Sequence, residues 1–186
     1  MNHQIQYRRD LHKLFEHVPE NELNGAVEIG VAEGNFSEDI LNMPVKFPTV
    51  WLVDRWVSMP NVKGDSAMPQ SWHDANHANV VERTKKFNGR AVIIRQESTI
   101  AADLFRDNQL DLIYIDADHS YAGCRADINA WWPKLKQGGY MAFHDYQNKA
   151  YGVNKAVNEF ANSRGLAVYD LTEDKPEDAG ALIRKC

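Results

Sequence analysis

The chain has 186 residues, 44% of them hydrophobic and 25% charged, with a formal net charge of −5. That length suits one domain spanning residues 1–186 with a sizeable core, and the acidic balance argues against nucleic acid or an anionic membrane as partner. There is no run of 18 apolar residues, the first residues "MNHQIQYRRDLHKLF" lack the apolar centre of a secretory leader, and Cys124 and Cys186 have no metal-like spacing, so the expectation is a cytoplasmic protein with reduced thiols.

In chain order, Ile5, Leu11, Leu14, Phe15 and Val18 predict a leading amphipathic helix within residues 1–19. "GAVEIG" (25–30) is a short apolar run ending in glycine, a buried strand, and residues 36–41 begin a helix. "TVWLVD" (49–54) is a second strand. Segment 55–80 is long, mixed in character and interrupted by two prolines. It reads as a lid-like loop or a surface insertion, followed by a helix through Val80, Val81 and Phe87. "AVIIR" (91–95) is a third strand. Ser98 is placed to cap a helix carrying Ile100, Ala101, Leu104 and Phe105. "LDLIYID" (110–116) is a fourth strand, and Tyr121, Cys124, Ile128, Trp131 and Leu135 form one helical face after it. "GGYMAFHD" (138–145) is a fifth strand, and Val153, Ala156, Val157 and Phe160 mark a further helix. "LAVYDL" (166–171) and "GALIRK" (180–185) close the chain as an antiparallel hairpin across the polar link "TEDKPEDA". The alternation predicts an α/β three-layer sandwich: a seven-stranded, mostly parallel sheet with a C-terminal antiparallel hairpin and helices on both faces.

In such sheets ligands bind past the carboxyl ends of the strands. Gly30, Asp54, residues 96–98, residues 116–119 and the pair His144–Asp145 all fall there. "VEIGVAEGNFS" (27–37) spaces Gly30 and Gly34 as G-x-x-x-G, with Ala32 between them. A dinucleotide fingerprint would be G-x-G-x-x-G and would welcome a pyrophosphate. Glu33 in the loop and Glu28 on the strand repel one. The loop suits a cationic cofactor without phosphates, which S-adenosylmethionine (SAM) satisfies; the alternative is a tight turn with no ligand. Asp54, 24 positions after Gly30, is placed to accept ribose hydroxyls or to pair with Arg55. Gln96, Glu97 and Ser98 are placed at an adenine edge.

The ordered set "VEIGVAEG", "LVDRW", "IIRQES", "LDLIYIDADHSY" and "LKQGGYMAFHDY" resembles the Rossmann-like class I SAM-dependent methyltransferases over roughly residues 20–185. Within that class, "DADHSY" with "GGYMAFHDY" is similar to a small bacterial group related to the macrocin and novobiocin-type sugar O-methyltransferases, and more distantly to catechol O-methyltransferase. The resemblance implies a cofactor site over Glu28, Gly30, Ala32, Gly34, Asp54, Glu97, Ser98 and Asp116. It also implies a divalent metal, Mg²⁺ or Mn²⁺, on Asp116, His144 and Asp145. His144 stands where the relatives carry an acid, which favours ions that tolerate imidazole.

The expected reaction is O-methylation of a small hydroxylated acceptor, a sugar or secondary metabolite. Asp116, Asp118 and His119 are the catalytic candidates, and Asp118 or His119 the general base. Ser120 as a helix cap and Asp118 as plain loop polarity are the competing readings. Tyr121, Tyr146 and Trp56 are acceptor-pocket or core residues; Arg125 and Asp127 read as a solvated face or a local ion pair, and His73 and His77 as lid surface. The leading helix and segment 55–80 offer surfaces for a homodimer. A nicotinamide-dependent oxidoreductase and a non-catalytic SAM-binding module are the two other functions that such a sheet accommodates.

Overall fold

Every residue of β1 (Ala26–Ile29) and β4 (Leu110–Ile115) is buried, the pattern of strands covered on both faces. They lie side by side in parallel, Ala26 opposite Leu112 and Ile29 opposite Ile115. The computed structural model describes residues 7–62, 64–171 and 179–186. Among these, β2 (Val50–Asp54) and β3 (Ala91–Arg95) extend the sheet on the β1 side, while β5 (Leu135–Phe143), β6 (Val168–Asp170) and β7 (Ala181–Arg184) extend it beyond β4. The order is β3-β2-β1-β4-β5-β7-β6, parallel except that β7 runs against both neighbours. The predicted fold class is the one observed. Chain order reverses between β1 and β4, which places the ligand cleft above that pair.

Alternation along each strand divides the core. Ala26, Leu52, Leu112 and Tyr114 face α1 (Asn35–Asn42), α2 (Gln70–Thr84) and an N-terminal 3-10 helix, Arg8–Leu14. Val27, Ile29, Ile113 and Ile115 face α3 (Ser98–Ala101), α4 (Tyr121–Trp131) and α5 (Val153–Asn162). Two buried carboxyls bind these layers together. Asp111 on β4 accepts from the Asn24 and Gly25 N–H groups at 2.5 and 2.9 Å and from Lys136 Nζ at 3.1 Å, fixing the entry into β1. Asp127 on α4 accepts from Ser98 Oγ at 2.5 Å, and the same hydroxyl accepts from Trp131 Nε1 at 2.9 Å.

Several expectations change. The leading helix is a 3-10 helix over its described part, and residues 4–6 of that reading lie outside the described residues. The helix after β2 begins at Gln70, not near Val80, so the irregular part of the lid segment shrinks to 55–69. Its buried face is His73, Asn76, Val80 and Thr84, three polar residues of four, which an apolar periodicity does not register. His73 is therefore buried rather than lid surface, and His77 packs edge-on against Trp56 at 4.8 Å. Ser98 does not cap α3, whose cap position is Glu97; its hydroxyl belongs to Asp127. Asp127 is only 4% exposed, not a solvated face. β5 starts at Leu135, three residues before the glycine pair. The antiparallel hairpin is present, and its link over 172–178 lies outside the described residues.

Asp111→Ala leaves the buried Gly25 N–H and the half-buried Asn24 N–H without an acceptor, and urea unfolding is expected to show a loss of about 1–3 kcal/mol, with Asp111→Asn losing less. A loss under about 0.5 kcal/mol, the ordinary surface level, would refute the clamp.

Burial lifts the Asp127 carboxyl from 3.8 to about 6, with Glu97 and Asp118 adding to the rise and the Ser98 hydrogen bond opposing it. A folded pKa above the unfolded one means that the native state holds the extra proton between about pH 4 and 6. Stability from this group therefore falls as pH rises through that window. Asp127→Asn is expected to gain on the order of 2–3 kcal/mol over wild type at pH 7.5 and nothing at pH 3.5. Parallel unfolding curves at the two pH values, with no change in the difference, would contradict it.

Candidate active site

The loop after β1 is built on a carboxylate. Asp54 Oδ2, at the end of β2, accepts from the N–H groups of Val31 and Ala32, both at 3.0 Å, and Oδ1 accepts from the Trp56 N–H at 2.7 Å. Trp56 returns its indole N–H to the Ala32 carbonyl at 2.9 Å. Ala32 (φ +47°) and Trp56 (φ +43°) both hold the left-handed backbone that non-glycine residues avoid. Such strain persists where surrounding bonds impose it. Gly34, also left-handed, hands the chain into α1. Trp56 is thus a strut under the loop, 1% exposed.

Glu28 lies below that loop, on the face toward α1, and accepts from Ser37 Oγ. Burial pushes its pKa well above the usual carboxylate range; the Ser37 hydrogen bond opposes this, and the Asp116 and Asp54 charges add to it. Toward β3, a cavity of about 490 Å³ is lined by Arg55, Val57, Met59, Arg95, Gln96 and Glu97. Arg55 reaches Glu97 across it at 3.4 Å. This is the rim where an adenine was expected, but Ser98 is turned inward to Asp127.

The other half of the rim is a cluster. One ligand atom from each of Asp116, His119, His144 and Asp145 can be chosen so that all four lie within 4.8 Å of one another. His119 Nε2 stands 3.1 Å from Asp116 Oδ1 and 3.3 Å from Asp145 Oδ2. His144 Nδ1 stands 3.4 Å and 3.1 Å from the same two oxygens. His119 Nε2 hydrogen-bonds Asp116 Oδ1, whereas His144 Nδ1 is buried among the other three with no hydrogen bond of good geometry. For both histidines burial works against the charged ring and the carboxylates outweigh it: His119 is raised by Asp116 and Asp145, and His144 is raised to about 10. For Asp116 burial would raise the pKa, and the two imidazoles pull it well below the usual carboxylate range.

Backbone and packing hold the cluster in place. Asp116 N–H donates to Ile29 O at 2.8 Å and His144 N–H to Ile115 O at 3.0 Å, so both residues extend the strand ladder by one step. Asp145 turns with φ +55°. The His119 ring stacks on Tyr151 at 4.7 Å, and its carbonyl accepts from Gly152 N–H at 2.8 Å.

Asp116, His144 and Asp145, expected as ligands, are brought together, and His119, expected as a base, joins them as a fourth. Its i+3 spacing from Asp116 is compatible with this, but the sequence alone does not single it out as a ligand. Asp118 is elsewhere: exposed, its Oδ1 accepting from Ser120 N–H at 2.8 Å at the start of α4, where Ser120 Oγ caps the helix by accepting from Gly123 N–H. Tyr121 bonds Glu159 at 2.6 Å and Tyr146 bonds Asn158 at 3.0 Å. Arg125 pairs with Glu159 at 3.2 Å, a bridge between α4 and α5.

Comparison with known proteins agrees with this layout. NovP, an O-methyltransferase, superposes with a TM-score of 0.66 at 19% identity, over 95% of this chain and 77% of that one. A proposed methyltransferase from Streptococcus mutans, solved with S-adenosylhomocysteine, gives 0.64 at 12% identity over 94% and 95%. An uncharacterised Sinorhizobium fredii protein is 33% identical over 60 residues, which are 32% of this chain and 7% of that one; a second curated relative, from Acanthamoeba polyphaga mimivirus, is 37% identical over 54 residues, 28% of this chain and 24% of its own length. The model of the methyltransferase-domain family matches residues 27–146, from the glycine loop to the residue after Asp145. The chain belongs to that methyltransferase-domain family and carries the Rossmann-like class I fold.

Proposed function

We propose that this chain transfers the methyl group of SAM to a hydroxyl of a small molecule, and that Asp116, His119, His144 and Asp145 hold a divalent cation beside the transferred methyl. The observation that carries the reading is the convergence of four ligand atoms on one point, with His144 Nδ1 buried and unbonded among them. Two imidazoles and two carboxylates suit Mn²⁺, Fe²⁺, Co²⁺ or Zn²⁺ better than Mg²⁺, which prefers oxygen. Such an ion, when bound, supplies the Lewis acidity that eases loss of the acceptor hydroxyl proton.

The chain's own groups do the rest. The loop from Gly30 to Gly34 and Asp54 fix the cofactor, and the carboxylates of Asp54 and Asp116 favour its sulfonium. Transfer breaks the sulfur–methyl bond and forms an oxygen–methyl bond. The electron pair returns to sulfur, leaving a neutral thioether, while the acceptor proton goes to solvent or to a rim carboxylate. Holding the two reactants in line accounts for several kcal/mol of the barrier, on the order of 7–11 in favourable cases. Asp118, turned away toward α4, is poorly placed to act as base in this geometry. An oxyanion of the acceptor is favoured near the cation and disfavoured elsewhere on this acidic rim, which supports oxygen as the nucleophile. The chemistry of the named relative NovP supports the same choice.

Chelated, dialysed protein is expected to bind Mn²⁺ with measurable heat and proton release, since two raised imidazoles must give up their protons to become ligands. Asp116→Ala and Asp145→Ala are expected to abolish that heat and, with a panel of hydroxylated acceptors, turnover. Full turnover in excess EDTA would remove the metal from the mechanism.

Asp54→Ala is expected to weaken SAM binding by roughly tenfold or more, because the loop amides lose their acceptor and the cofactor loses its ribose partner. Calorimetry that finds the affinity unchanged would break the link between this loop and the cofactor.

A further inference from the structure

A 3-10 helix has three residues per turn, so residues three apart stand in one line. In Arg8–Leu14 that line is Arg8, Leu11 and Leu14, and the two leucines are buried. Phe15 secures the segment with edge-on contacts to Phe47 and Tyr140 at 5.2 and 5.7 Å. Arg8 therefore enters the molecule on the apolar side of a docked segment, where a cation needs a reason to be.

Its surroundings supply one. The guanidinium carbon lies 5.1 Å from the centre of the Phe36 ring, and Phe36 is in the first turn of α1, just past the glycine loop. Phe36 in turn lies 4.1 Å from the Tyr114 ring. Arg8 hydrogen-bonds the Tyr114 hydroxyl, and its charge acts on Glu28 against those of Asp116 and Asp54. The N-terminal segment thus delivers a positive charge beneath the loop, on the side where Glu28 is buried. α1 begins there at Gly34 with no side-chain cap. The positive end of its dipole there favours an anion, although Phe36 and Ser37 in that turn are themselves buried.

SAM brings one anion, the carboxylate of its methionyl group, to strand ends that carry Asp54 and Asp116. We infer that Arg8, together with the first turn of α1, receives that carboxylate, so that the N-terminal segment is part of the cofactor site. The inference rests on the SAM assignment above. It also accounts for how one cleft holds both the sulfonium, which the acids favour, and the carboxylate, which they repel.

Decarboxylated SAM keeps the sulfonium and the ammonium and lacks only the carboxylate, so the two ligands isolate this contact. In calorimetry on the whole chain, wild type is expected to prefer SAM. Arg8→Ala and Arg8→Gln are expected to lose about ten- to a hundredfold in SAM affinity while binding of the decarboxylated ligand moves by less than about threefold, and Arg8→Lys to fall between. Arg8→Gln keeps length and donors, so the comparison survives if Arg8→Ala does not fold; thermal unfolding verifies each variant. Equal losses for both ligands would make Arg8 a support of the fold and overturn the inference. Wild type binding the two ligands equally would overturn it alone, and wild type binding neither would overturn the cofactor assignment with it.

Discussion

The structure of the site depends on one close approach. A Cβ on Gly30 would stand 2.0 Å from the Asp116 carbonyl oxygen, so the ends of β1 and β4 meet backbone against backbone, with no room for a side chain between them. The contact falls where the chain order of the sheet reverses. From it, one chain end turns toward β2 and the other toward β5. Gly30, at φ +85°, sends its loop over to the Asp54 carboxylate. Asp116 sends its side chain toward His119 and His144. The glycine loop and the Asp116–His119–His144–Asp145 cluster are therefore two sides of a single junction, and the distance between them is set by the spacing of neighbouring strands rather than by loop conformation.

Packing acids at that junction raises an electrostatic problem that each residue answers differently. Glu28 is pushed toward its neutral form by burial and held by Ser37. Asp54 accepts from three backbone N–H donors. Asp116 and Asp145 share two imidazoles. The differences assign chemistry. A carboxyl driven neutral offers a hydrogen bond, one cradled by amides shapes a loop, and in the proposed function two carboxylates and two imidazoles hold a cation once the imidazoles lose their protons.

Much of this was legible in the sequence where apolar patterning or short spacing carries the information. The seven strands announce themselves through "AVEI", "LDLIYI" and their kin, and strand ends name Asp54, Asp116 and the His144–Asp145 pair. What was not legible depends on partners distant in the chain. α2 hides its buried face behind His73 and Asn76. Asp127 is buried because Ser98, 29 positions earlier, donates to it, and nothing in "CRADINAW" carries that pairing. Trp56 looks like a pocket lining until its backbone and indole are seen bonding the loop from beneath. His119 was chosen as a base because of its pKa range; only the fold shows that it faces the same point as His144.

Asp54 shows how far preorganisation limits the site. A carboxylate offers about four lone-pair positions. Two on Oδ2 are taken by Val31 and Ala32 and one on Oδ1 by Trp56, which leaves one. In the proposed function a ribose would bond Asp54 through a single hydroxyl while the loop keeps its shape, and a second bond there would require a loop amide to let go. The other hydroxyl is left to the neighbouring strand end, where Gln96 and Glu97 line the cavity beside Arg55. The loop is held in its strained form before any ligand arrives, so binding energy is not spent on shaping it. The same economy governs the far side of the junction, where strand-end backbone bonds hold Asp116 and His144 at fixed spacing whatever occupies the gap between them.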